Sequence, residues 1–149
     1  MTGPDPVLTS AGYLLLKAGT QFHGVIDAAL GAEDLTGRQF LVLTFAGGAE
    51  GLSQLELSRR LHLDPTIVVG LLDELEDRGL VTRTKDPADR RRHLIALTTD
   101  GRKLQARAAK AVAVAERDFL EPLSGADRKQ LRRLLLDVMQ SRLPWLGDR

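Results

Sequence analysis

The sequence predicts a mainly α fold carrying one small β-hairpin, and three observations within Ser53–Gly101 predict it. Two helix starts follow one another closely: Ser53 with Glu56 forms a capping box, and Asp64-Pro65 supplies an N-cap and a first-turn proline. Val68, Leu71, Leu72 and Leu75 then recur at helical spacing until Gly79, a residue suited to the left-handed turn that ends helices. After Gly79 the period changes to two. Leu80, Val81 and Thr82 run into Arg83 and Thr84, and Leu94, Ile95, Ala96 and Leu97 form the returning strand around the charged loop KDPADRRR. Together these describe a winged helix-turn-helix, mainly α with a small β-hairpin wing.

The flanking elements follow in order. Met1 to Val7, with Gly3, Pro4 and Pro6, reads as a loose arm. Thr9 or Ser10 caps a helix to about Leu30, with Leu14, Leu15, Ala18, Phe22, Val25, Ile26 and Ala29 on a broad apolar face and Gly31 as its stop. Gly12, Gly19 and Gly24 weaken that helix, so packing must hold it. Thr36 and Gln39 form a second capping box, and Phe40, Leu41, Leu43 and Thr44 mark a short buried helix ending near Gly47 and Gly48. Leu52 can add a short edge strand to the hairpin. After the wing, Thr98 or Thr99 caps a long helix whose Leu104, Ala108, Ala111, Val112, Ala115 and Phe119 keep one face apolar until Pro122 breaks it. Ser124 with Asp127 starts a last helix lined by Leu131, Leu134, Leu135, Val138, Met139 and Leu143, ending at Pro144. Tyr13 and Trp145 read as interface aromatics.

The whole chain, 1–149, reads as a single domain: a DNA-binding lobe over 35–100, and dimerisation helices over 1–34 and 101–149. One small winged unit cannot cover three amphipathic helices, so they are expected to pack on the same helices of a second copy as a two-fold homodimer. Packing within one monomer is the alternative.

Composition narrows the function classes. The 149 residues are 43% hydrophobic but only 4% aromatic, so aliphatic side chains carry the core. There is no cysteine, which excludes disulfides and thiolate ligands, and three scattered histidines make a poor metal site. No cofactor or metal is expected, and no nucleophile elbow, zinc helix or phosphate loop supports an enzyme. No apolar run suggests a membrane span or a signal peptide, so the expected location is cytoplasmic. Net charge is only +1, but its distribution is uneven. Met1 to Asp77 holds four basic and eleven acidic residues, whereas Arg78 to Arg92 holds six basic and two acidic. Positive charge gathered on a hairpin beside a helix-turn-helix points to the phosphates of double-stranded DNA.

With about 100° per residue, and Val68, Leu72 and Leu75 facing inward, Thr66, Gly70, Asp73 and Asp77 face outward with Ile67 and Val69 on the flanks. The N-terminal half of such a helix enters the major groove, which makes Pro65, Thr66, Ile67, Val69 and Gly70 the candidate base contacts. No Arg, Asn or Gln on this helix can make a bidentate base contact, so base reading is expected to be modest or to come from the wing and DNA shape. Arg90, at the turn, and Arg92, expected to point opposite Arg91 on the strand, are candidate phosphate contacts. Ser53 and Gln54, at a helix start, offer donors to phosphate; plain capping is the alternative role of Ser53.

From Leu52 to Leu104 the chain resembles the MarR family of bacterial transcription regulators. DPADRRRHLIALTTDGRKL is similar to the family's wing tip, strand, Leu-Thr, two residues and glycine, and LDPTIVVGLLDELEDRGLVTR is similar to its recognition helix and exit. The flanking helices match as well. The resemblance implies a dimeric regulator, usually a repressor, on inverted-repeat promoters, often released by a small aromatic or phenolic effector. It also implies that Arg91 is the wing arginine and Asp89 the carboxylate that orients it. The chain departs from the family where many members have Ser or Thr at the positions of Ile67 and Val69, and Arg or another polar residue at Gly70. Effectors in the family lodge between the dimerisation helices and the DNA-reading lobe, where Phe22, His23 and Phe40 are candidates; ordinary core or surface roles are the alternative. A rival reading makes the winged domain a protein-docking module, with the apolar Ile67, Val69 and Gly70 surface meeting a partner.

Overall fold

The computed structural model describes residues 3, 5–48, 51–143 and 145. A short 3₁₀ turn over Pro6–Thr9 leads into α1 (Ala11–Gly31), α2 (Gly37–Gly48), β1 (Leu52–Ser53), α3 (Gln54–Leu61) and α4 (Pro65–Asp77). Then come β2 (Val81–Lys85), β3 (His93–Leu97), α5 (Thr99–Phe119) and α6 (Gly125–Met139). The strands form one antiparallel sheet in the order β1-β3-β2. Val81 lies opposite Leu97 and Lys85 opposite His93, while the edge strand places Leu52 against Ile95.

Local chemistry sets most of these boundaries. Ser10 caps α1, Ser53 and Glu56 make a complete capping box at α3, Asp64 caps α4, Thr98 caps α5 and Ser124 caps α6. Thr36 and Gln39 exchange the two reciprocal bonds of the second box, at 3.0 and 3.2 Å. The turn between α3 and α4 closes when the Ser58 hydroxyl donates to the Leu63 carbonyl at 2.6 Å, with His62 in the left-handed region at φ 51°. Gly79 adopts φ 69° just beyond α4.

One aliphatic core joins α2, α3, α4, the sheet and the start of α5. Val42, Leu43, Leu57, Val68, Leu72, Leu75, Val81 and Ile95 are buried together. Leu30 from the end of α1, and Leu104 and Ala108 from α5, belong to the same cluster. The adjoining ends of the terminal helices therefore pack into the same core as the 35–100 lobe. Gly101 shows why α5 starts where it does. A Cβ there would fall inside the Leu80 carbonyl oxygen, which accepts the Thr98 N–H at 3.1 Å, while the Thr98 hydroxyl donates to the Gly79 carbonyl at 2.7 Å. Only glycine lets α5 sit down on the end of the recognition helix.

Other expectations shift in phase or extent. Leu41 is exposed and Thr44 only half-buried, while Gln39, Val42, Leu43 and Ala46 turn inward, so the α2 stripe is rotated from the expected one. Gly31 is the last residue of α1 rather than a residue beyond it, and the chain reverses over Ala32–Asp34, where Asp34 has φ 54°. The helix α5 ends at Phe119, before Pro122 is reached, and Leu143 lies beyond the end of α6; Pro144 falls outside the described residues. Trp145 packs edge-on against Phe45, with ring centroids 5.0 Å apart, so it joins its own chain's fold.

Candidate nucleic-acid interface

The candidate surface is built from two helix starts and one hairpin tip. The first turns of α3 and α4 and the end of the wing enclose a shallow groove of about 260 Å³, lined by Ser53, Gln54, Leu55, Pro65, Arg91, Arg92 and His93. Five of those seven are sequence-predicted site residues, and Leu55 and His93 join them. Pro65, Thr66, Ile67 and Gly70 are exposed on the same helix and Val69 is half-buried. Ile67 leaves 43% of its surface open, a large value for an isoleucine with no cover. The first half of α4 is therefore short of polar groups, with Thr66 its one polar side chain before Asp73.

The wing tip is shaped by its aspartates. Asp86 accepts the Ala88 N–H at 2.8 Å, and the Asp86 N–H closes the hairpin on the Arg92 carbonyl at 2.9 Å. The Asp89 carboxylate accepts the Arg91 backbone N–H at 3.0 Å and stands 4.0 Å from its guanidinium, so Asp89 sets the turn first and touches the charge only loosely. The Arg91 side chain is 96% exposed. Arg90 is exposed beside it. Arg92 departs from expectation: it sits in the turn before β3 rather than on the strand, and its guanidinium reaches back to Glu56 at 3.4 Å and Asp86 at 3.9 Å. Ser53 is buried, its hydroxyl bound to Glu56 at 2.7 Å, so its part is the cap and Gln54 is the free donor at that helix start.

Two ionic contacts that local patterns did not reveal hold this surface together. Glu56 accepts from the Ser53 hydroxyl and the Ser53 N–H (2.9 Å) and faces Arg92. The Ser53 hydrogen bonds, with the nearby Arg92 charge, hold its carboxyl below the ordinary value near 4.5. Arg83 on β2 donates from Nε to Glu76 at 3.0 Å and from Nη2 to both Glu76 and Asp73 of α4. The Glu76 carboxylate raises the guanidinium pKa further, so Arg83 stays charged. Asp73 and Glu76 stand one helical turn apart, and two carboxylates on one face with a cation two strand residues into the wing was the available sequence signal for this clamp.

A second cleft lies on the other side of the lobe, between α1, α2 and α5. It encloses about 710 Å³ and is lined by Phe22, His23, Ile26, Arg38, Phe40 and Val112, among others. The three sequence-predicted pocket residues thus share one cavity. Phe22 stacks obliquely on Phe119 with centroids 5.2 Å apart, and His23 Nδ1 lies 2.9 Å from Asp27.

Comparison with known proteins fits this architecture. A family profile described as MarR family matches residues 33–92. The HTH-type transcriptional repressor Rv2887 of Mycobacterium tuberculosis is 32% identical over 124 residues, covering 83% of this chain and 89% of that protein. The chain belongs to the MarR family. MarR proteins are winged-helix, DNA-binding transcriptional regulators, and the matched residues take in α2, α3, α4, β2 and the wing tip, which is all of the groove lining but His93. Two solved MarR-type structures are also similar. CouR from Rhodococcus jostii RHA1 bound to p-coumaroyl-CoA is 39% identical with a TM-score of 0.76, covering 87% of this chain and 92% of that one. The transcriptional repressor CouR bound to a 23-mer DNA duplex is 32% identical with a TM-score of 0.84, covering 93% and 98%. Among the described residues no helix is long and apolar enough to cross a membrane.

Proposed function

We propose that a two-fold dimer of this chain binds an inverted-repeat operator as a repressor, acting by binding alone, and that an aromatic effector in the α1–α2–α5 cleft releases it. The observation that carries the DNA reading is the groove where Gln54, Pro65 and Arg91 meet, with the Arg91 guanidinium wholly open to solvent. Each protomer lays the first half of α4 in the major groove, where Ile67 and Val69 touch thymine methyls and Thr66 supplies a hydrogen bond. Arg91 enters the adjoining minor groove, whose negative potential it reads without needing base letters. Gln54 and Arg90 meet phosphates, and Arg92 gives up part of its pairing with Glu56 to do so.

The effector reading rests on the cleft and on the relative that holds an aromatic thioester. Phe22 and Phe40 offer apolar faces to a ring, while His23 and Arg38 offer polar contacts at the rim. A ligand there acts only through unequal affinity for the two spacings of the paired recognition helices.

A gel-shift assay on the DNA flanking the chain's own gene tests both parts. Binding is expected to fall steeply with salt as counterions are displaced. Arg91→Ala is expected to weaken it by more than about ten-fold with the dimer intact, the loss of one buried charge contact. A p-coumaroyl thioester or a simple phenolic acid is expected to release the complex. Salt-independent or absent binding would instead favour the exposed Ile67 surface as a protein-docking site.

A further inference from the structure

The recognition helix carries an electrostatic contradiction. From Pro65 to Asp77 it holds Asp73, Glu74, Glu76 and Asp77, and not one Lys, Arg or His. Thr66, Gly70 and Asp73 fall on a single outward stripe at helical spacing, so the face aimed at the duplex ends, one turn later, in a carboxylate. A DNA duplex carries one negative charge for about every 1.7 Å of its axis. Left bare, Asp73 on that stripe and Glu76 on its flank would repel the phosphates that the wing attracts, whereas Asp77, the last residue of α4, stands a further turn from the first half that enters the groove.

The structure shows what meets them. Arg83 leaves only 22% of its side chain exposed, against 53% for Asp73, and its guanidinium binds Asp73 and Glu76 together. Glu74, on the opposite flank, accepts from Gln39 Nε2 at 2.9 Å. Arg83 is thus mostly covered and committed, unlike Arg91, and its geometry is that of a partner to acids rather than of a free phosphate ligand.

We propose that Arg83 is an electrostatic mask for the recognition helix, neutralising Asp73 and Glu76 so that α4 can approach the phosphate backbone. The proposal rests on the DNA-binding reading above. It assigns Arg83 a positioning and masking part with no direct contact to DNA. Repulsion between exposed charges is screened by salt, whereas misplacement of a helix is not. That difference separates masking from a merely structural tie between hairpin and helix.

The test measures affinity by fluorescence anisotropy for the gene-flanking duplex and for a generic mixed-sequence duplex, with thermal unfolding recorded for each protein. Arg83→Met keeps the apolar stem and removes the charge. It is expected to weaken binding about ten-fold near about 50 mM salt and about three-fold near about 300 mM, because screening fades the repulsion. The triple variant Arg83→Met/Asp73→Asn/Glu76→Gln is expected to return to within about three-fold of wild type at both salts. Asp73→Asn/Glu76→Gln alone, which leaves Arg83 unpaired, is expected to bind more tightly than wild type, most so at low salt. An Arg83→Met defect that is equal at both salts, or a triple variant as weak as Arg83→Met, would overturn the mask. So would a double variant that binds no more tightly than wild type, which decides the matter even where Arg83→Met fails to fold. Wild-type protein that shows no salt-steep binding to either duplex would sink the DNA reading and the mask with it; wild-type binding with the wrong variant pattern sinks the mask alone.

Discussion

The winged lobe and the terminal helices solve the burial problem in opposite ways. In the lobe, side chains from α1 through α5 and all three strands close on one another, and Leu57, Val68, Leu72, Leu75 and Ile95 lose nearly all contact with water. In the outer helices the same residue type is left bare. Leu14, Leu15 and Leu16 on α1, and Leu134, Leu135 and Val138 on α6, are exposed, and α6 buries none of its residues. Apolar side chains left bare on an isolated protomer cost free energy, and packing against a second copy is one way to remove that cost. On the proposed reading, the contrast teaches where each half of the function resides: the lobe holds the reading surface within one chain, and the bare ends supply the two-fold pairing that sets the distance between two such surfaces.

The most severe way to break this division is to spoil the lobe from inside. Gly101→Ala drives a methyl into the Leu80 carbonyl oxygen, at the point where α5 leaves the sheet. Backbone must move to admit it, and the Thr98 bonds to Gly79 and Leu80 go with the movement. The expected loss is about 3 kcal/mol or more, read from urea unfolding. The glycines of α1 make the control: Gly12 and Gly24 have open space where a Cβ would stand, and alanine there is expected to leave the lobe's stability unharmed. Equal losses at Gly101 and Gly24 would dissolve the distinction.

The outer helices break differently. Leu134→Asp with Val138→Asp places two carboxylates at exposed positions of α6. The dimer dissociation constant is expected to rise by about 30-fold or more in sedimentation equilibrium, the scale of losing one interface hot spot. The monomer should keep its folded lobe by circular dichroism, and its operator affinity should drop because one half-site alone is read. A variant that stays dimeric would move the interface elsewhere.

How much of this was legible in the chain depends on the reach of each interaction. Every helix start was readable because caps act across two or three residues: Ser53 with Glu56, Thr36 with Gln39, Asp64 with Pro65. The groove was legible for the same reason, since two helix starts and one hairpin tip define it. Contacts across longer separations were not. Arg83 meets Asp73 and Glu76 across a change from helix to strand, and Arg92 finds Glu56 on the opposite side of the groove. The close approach at Gly101 was not legible either, because the carbonyl it meets belongs to Leu80, at the other end of the hairpin. The phase of α2 slipped because Leu41, Val42 and Leu43 are all apolar, and periodicity cannot choose among neighbours of equal hydrophobicity.

Glu56 gives the mildest of these tests, and it probes the seam between helix start and wing within the lobe itself. Its carboxyl is held below its ordinary value of about 4.5, so the charged form is favoured by folding. The sign follows from linkage: the contribution is fully present above the unfolded-state value and fades as pH falls through the lower, folded-state value. Stability should therefore decline in the acid range below about pH 4.5 in part through this residue. Glu56→Gln retains an acceptor for the Ser53 N–H but not the charge facing Arg92, so the variant is expected to lose only about half a kcal/mol near neutral pH. The gap between the two proteins should close as pH drops, because the wild-type carboxylate is then protonated too. Urea unfolding at several acid pH values reads that convergence directly. A gap that stays constant down to the lowest pH would mean that the Glu56 charge plays no part in fastening Arg92, and that hydrogen bonding alone seats the wing on α3.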